Sequence, residues 1–179
     1  MASTRLATFL RPLRVLLTAL GLLLPAGSLA FAQSSGVTRD SAGNAIGFFP
    51  SGEIRWRAGP ASLRPGTMMT VLEGNPAADG VFTMRLKLPG GFVVSPHWHS
   101  QIEHVTVVSG TLHFGMGERF DRTRTRTMPA GSFGYWPVGM RHYAWAEGET
   151  VLQLHGRGPW TVTYVDAADD PRVPKAQTP

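Results

Sequence analysis

From Thr67 to Val165 a glycine or proline turn interrupts the chain every few residues, and the runs between turns are too short for ordinary helices. Phe82, Met84, Leu86 and Leu88 alternate with Thr83, Arg85 and Lys87, which sets the four apolar side chains on one face of a strand. Leu88 then meets the turn Pro89-Gly90-Gly91. The theme repeats in His104 to Val108, Thr111 to Met116, Ser132 to Trp136, His142 to Trp145, Val151 to His155 and Trp160 to Val165. Short, evenly spaced strands of this kind predict an all-β sandwich or barrel. With 21 glycines, 14 prolines and 42% hydrophobic residues among 179, the composition suits one turn-rich domain with a real core.

The N-terminal stretch reads differently. Arg5, Arg11 and Arg14 precede the apolar run VLLTALGLLL at Val15 to Leu24, and Ala30-Phe31-Ala32 offers small residues before Gln33. This is the pattern of an export leader over residues 1–32. Pro25, Gly27 and Ser28 break the run before it reaches the roughly 20 apolar residues of a spanning helix. A periplasmic or secreted product is expected, with no membrane association once the leader is removed. The leader carries three of the 17 basic side chains and none of the 12 acidic ones, so its removal lowers the net charge from +5 to +2. That balance gives no reason to expect a nucleic-acid partner. The chain has no cysteine, so any metal site must be built from histidines and carboxylates. Residues 33–62 read as an extended arm, 63–168 as the globular domain and 169–179 as a polar, flexible tail.

Four residues stand out in the domain. His97 and His99 are two apart and share a face if the segment is a strand. Glu103 opens the next alternating run, and His142 opens another 39 residues later. Three imidazoles and a carboxylate suit one divalent transition metal among Fe, Mn, Ni, Cu and Zn. The spacing is more specific than the residue types. Gly91, five residues, His97-x-His99, three residues, Glu103, six residues and Gly110 follow one another without a gap, as do Gly131, five residues, Pro137-x-Gly139, two residues and His142.

In these two motifs the chain resembles the cupin superfamily, over roughly Leu63 to Val165. The second motif usually ends in Asn, and Ala146 stands in that place here. The stretches PHWHSQIEHVTVVSGTLHFGMG and HGRGPWTVTYVDAADDPR look like a group of small single-domain exported bacterial cupins with no settled activity. The resemblance implies a double-stranded β-helix, or jelly-roll, barrel with a metal inside. It also implies ligand roles for His97, His99, Glu103 and His142.

Strand parity sorts the neighbours. Val105, Val107, Ala144 and Ala146 are expected to face inward, and Phe82, Met84, Leu86, Leu112, Phe114 and Met116 to form the walls. His104 and Thr106 are expected outside, with Trp98, Tyr143 and Trp145 on an outer face suited to a homodimer contact. Arg122, Arg124 and Arg126 alternate with threonines and read as one face of an edge strand. His113 and His155 read as structural histidines, Gln101 as a solvated loop residue and Arg141 as half of a surface ion pair. The function expected is a metal-dependent dioxygenase- or decarboxylase-like enzyme acting on a small oxygen-rich compound. The alternative is a binding module for a small ligand or a metal. No residue is assigned a catalytic role from the sequence.

Overall fold

The structure is a computed structural model, and it describes residues 36–174. The leader read over residues 1–32 lies outside the described residues, as do residues 175–179 of the tail. The strands are β1 (Val37–Arg39), β2 (Ala45–Gly47), β3 (Arg57–Ala58), β4 (Met68–Glu73), β5 (Gly80–Leu88), β6 (Val93–His99) and β7 (Glu103–Ser109). They continue as β8 (Thr111–Met116), β9 (Thr125–Pro129), β10 (Phe133–Trp136), β11 (His142–Ala146), β12 (Thr150–Gly158) and β13 (Val162–Tyr164). The only helical pieces among the described residues are single 3₁₀ turns at Ser51–Glu53, Arg122–Arg124 and Ala167–Asp169.

Two antiparallel sheets carry the domain. One has the order β10-β7-β12-β5-β4-β3, and the other β13-β6-β11-β8-β9. The alternation of β5 survives intact: Phe82, Met84, Leu86 and Leu88 are buried, and the residues between them are only partly so. Register then stacks inward residues in rows. Leu152 pairs with both Leu86 and Val107, and Leu154 pairs with both Met84 and Val105. In the second sheet Leu112 faces Ala146 and Phe114 faces Ala144. Each large apolar side chain buried this way contributes about 1.5–3 kcal/mol, so a core of this kind needs no disulfide. The fold is a jelly roll, as the strand pattern predicts.

One irregularity positions the site. The pairing of β11 with β6 slips between His142 and Ala144, giving β6 one extra residue. The slip falls at Ser95-Pro96. Proline is tolerated inside a central strand only where a ladder hydrogen bond is already missing. The extra residue reverses parity, so that Val94 rather than Val93 shares the interior with His97 and His99.

Several expectations need correction. Tyr143 is not an outer contact but 1% exposed, because the segment after β8 folds over it. Its hydroxyl donates to the Asp121 carbonyl (3.1 Å), and its ring lies across Gly115, where a Cβ would come within 2.2 Å of it. Met116 is not a wall but 71% exposed, since β8 has passed the end of the core there. Arg122 and Arg124 are not on a strand. Asp121 accepts from the Thr123 backbone N–H (2.8 Å) and caps a 3₁₀ turn, so β9 begins only at Thr125. Arg122 instead packs over Trp145, 4.6 Å from the ring centre.

The N-terminal arm has structure of its own. β1 and β2 form a hairpin, β3 pairs with β4 at the edge of the first sheet, and Tyr164 donates to the Ser62 carbonyl (2.6 Å). At the other end Arg172 donates to the Val162 carbonyl (2.8 Å) and ties the start of the tail to β13.

Candidate metal centre

Three neighbouring strand ends supply four polar side chains to the interior. β6 contributes His97 and His99, β7 contributes Glu103 at its first residue, and β11 contributes His142, which pairs in register with His97. All four are buried, none more than 7% exposed. The candidate ligand atoms of the three histidines lie within 4.8 Å of one another. Glu103 Oε2 lies 3.1 Å from His99 Nε2 and 3.3 Å from His142 Nε2.

The second nitrogen of each ring settles what the first can do. His97 Nδ1 meets the Ser95 carbonyl at 2.8 Å, His99 Nδ1 the Thr161 carbonyl at 2.9 Å, and His142 Nδ1 the Met140 carbonyl at 2.9 Å. A carbonyl oxygen can only accept, so each Nδ1 carries a hydrogen and each ring turns its Nε2 inward. The bulge at Ser95-Pro96 is what aims one of these carbonyls. Burial, reinforced by the other two imidazoles, pushes the His97 pKa down to about 3, so that ring is neutral at ordinary pH. For Glu103 burial works to raise the pKa, but the facing His99 and His142 rings outweigh it and hold the carboxyl below the usual carboxylate range.

This crowds the Nε2 atoms of His99 and His142 against the Glu103 carboxylate. His99 Nε2 is buried and makes no hydrogen bond, although Glu103 Oε2 is close. An orphaned buried nitrogen is costly, and a cation satisfies it. Two ligand atoms about 2.1 Å from one ion, roughly a right angle apart, are about 3.0 Å from each other, close to the separations between Glu103 and the two histidines. The three buried histidines can therefore hold a metal ion, and their carbonyl partners supply the outer hydrogen bonds that metal-binding imidazoles use.

Above the cluster lies a small cavity of about 70 Å³. Its walls include Leu86, Val105, Leu112, Phe114, Leu152 and Leu154. Two tryptophans that the sequence did not single out complete it. Trp160 stacks on His99 (centroids 4.2 Å, 17° between planes), and Trp136 stacks on Phe114 (3.9 Å, 19°). Trp136 directly precedes Pro137 of the second motif, which could have marked it. Trp160 follows a Gly-Pro pair and carried no such signal.

The other polar residues weighed from the sequence stay outside. His113 lies flat on Trp145 (3.9 Å, 5°), with Glu147 Oε2 at 3.1 Å and Thr127 Oγ1 at 3.3 Å. His104 and His155 stack on each other at 4.9 Å across neighbouring strands. Arg141 is exposed, donates to the Gly139 carbonyl (2.7 Å) and faces Glu118 at 3.8 Å. Neither it nor Gln101 lines the cavity.

A jelly roll that gathers three histidines and a glutamate from neighbouring strands beneath an apolar cavity has the architecture of a cupin. The chain belongs to the ChrR cupin-like domain family, whose model matches residues 48–161. No curated protein is similar enough to the chain to match it. Among solved structures it resembles an acetylacetone dioxygenase from Acinetobacter johnsonii, at 16% identity over 71% of this chain and 83% of that one, with a TM-score of 0.53. It also resembles a provisionally assigned acetylacetone dioxygenase from Methylibium petroleiphilum PM1, at 18% identity over 72% and 86% of the two chains, with a TM-score of 0.54. A weaker likeness is to Rhodobacter sphaeroides SigE in complex with the anti-sigma ChrR: 20% identity, 59% of this chain and 51% of that chain, TM-score 0.45. At these identities the solved structures speak for the fold.

Proposed function

We propose that this is an exported cupin enzyme that holds one divalent transition metal on His97, His99, His142 and Glu103. Its reaction is dioxygenase- or decarboxylase-like, on a small oxygen-bearing compound. The observation that carries this reading is the convergence of carbonyl-fixed imidazoles and one carboxylate at the end of an apolar cavity. The ion supplies Lewis-acid or redox chemistry. The chain orients it through three backbone carbonyls and keeps bulk water from it with aliphatic and aromatic walls. In this reading the leader over residues 1–32 directs the 63–168 barrel, with its arm over 33–62 and its tail over 169–179, to the periplasm or beyond. The basic start, the short apolar run and the Ala-x-Ala site are its support. Trp98 and Trp145, both half-buried, remain the outer aromatics available to a second copy.

One observation favours a binding module instead. Apart from the cluster itself, no titratable side chain lines the cavity, so no separate proton donor or acceptor is at hand. Oxygen uptake separates the two readings. The Fe(II)- or Mn(II)-loaded chain is expected to consume oxygen with a diketone, or to release carbon dioxide from a keto acid, and His142→Ala to abolish this. A co-purifying ligand with no turnover of any such compound would favour the binding module.

A further inference from the structure

The cavity is built to reject charge and hydroxyl groups everywhere except at its polar end. Apart from the four cluster residues, the lining contains no Asp, Lys, Arg, Asn, Gln, Thr or Tyr. Of the other lining residues only Ser62, Trp136 and Trp160 carry a polar side-chain group. A carboxylate, phosphate or ammonium lodged against leucine, valine and phenylalanine would be stripped of water with no counter-charge. A polyol would leave several hydroxyls without partners.

Trp160 adds a direction to this. Its ring is stacked on His99, one of the cluster's own imidazoles. Its Nε1 is buried and has no hydrogen-bond partner. Indole N–H is a donor only, so what it lacks is an acceptor. Trp145 Nε1 is also unpartnered, but that ring sits on the outer face against His113, away from the cavity lining.

We infer that the cavity takes a small compound with an uncharged apolar body and its acceptor oxygens gathered at one end, one of them received by the Trp160 indole N–H. This rests on the proposed metal-binding function for the identity of the polar end, but the polarity of the walls stands without it. Sugars, sugar acids, amino acids and phosphate esters are expected to be poor ligands.

The test uses matched pairs that differ only at the far end. The full chain is loaded with Co(II) and its metal content measured, and hexane-2,4-dione is then compared with 3,5-dioxohexanoate by calorimetry. The metal-free chain is titrated with pentan-2-one and with levulinate, followed by tryptophan fluorescence. The uncharged member of each pair is expected to bind at least tenfold more tightly. Equal or tighter binding of either charged member overturns the inference. If the loaded chain holds no metal but pentan-2-one still leads levulinate tenfold, the metal reading falls and this one stands. Trp160→Phe keeps a ring against His99 and removes the donor. It is expected to retain metal and to weaken dione binding about tenfold, while Trp145→Phe leaves dione binding unchanged. Unaltered dione affinity in Trp160→Phe overturns the assignment of the indole.

Discussion

The six histidines of this chain divide into two sets of three, one inside the barrel and one outside. His97, His99 and His142 each surrender Nδ1 to a backbone carbonyl and turn Nε2 toward a common point. His104, His113 and His155 point the other way from the same sheets and use their rings for stacking: His113 on Trp145, and His104 and His155 on each other. Burial separates the sets, since the inner three rings are buried and the outer three only partly so, although burial and then His104 lower the His155 pKa as well. The backbone separates them too, because a carbonyl holds Nδ1 of each inner ring. In the proposed centre a histidine can serve as a ligand because the backbone holds its other nitrogen.

The sharpest way to break this comparison is to remove members of each set and count metal. His97→Ala and His142→Ala are expected to lower metal occupancy at least tenfold by elemental analysis, since outer partners of a metal ligand alone are worth 10–100-fold. His113→Ala and His155→Ala should leave it within twofold. Comparable loss from both sets would erase the distinction.

Acid should expose the inner set next. Because the folded-state pKa of His97 lies near 3, below the unfolded value of 6.5, the unfolded chain binds more protons between those limits. The metal-free protein therefore keeps this contribution above pH 6.5 and loses it as pH falls, at up to about 1.4 kcal/mol per unit. Denaturant titrations from pH 7 to pH 4 measure the slope, and His97→Phe is expected to flatten it. An equal slope in the variant would assign the acid sensitivity elsewhere.

Two smaller effects sharpen the outer side. Gly115→Ala drives a Cβ into the Tyr143 ring and is expected to cost about 1–3 kcal/mol in chemical denaturation. Tyr143→Phe removes one hydrogen bond to the Asp121 carbonyl and is expected to cost about 1 kcal/mol. An unshifted midpoint in Gly115→Ala would mean that the ring is free to leave the sheet.

Much of the interior was legible because it depends on local parity. The Phe82–Leu88 alternation and the inward run Glu103, Val105, Val107 require only that a strand be a strand. The four clustered residues were legible from motif spacing, which encodes the lengths of the intervening turns. What escaped depends on contacts between distant segments. Tyr143 has outward parity, yet it is buried because the chain around Asp121 returns to cover it. Trp160 reaches His99 across 61 residues of sequence, and nothing in its neighbourhood announces that stack. The slip at Ser95-Pro96 left His97 and His99 inward but moved Val94 in with them, which strict alternation cannot express.

X-ray absorption at the metal edge of the purified chain tests the central claim most directly. The expected spectrum has a first shell of nitrogen and oxygen at about 2.0–2.2 Å, with the outer-shell scattering of three imidazoles, which falls when His142 is replaced by alanine. A spectrum without imidazole scattering, or one indifferent to that replacement, would place any bound ion somewhere other than on these three rings.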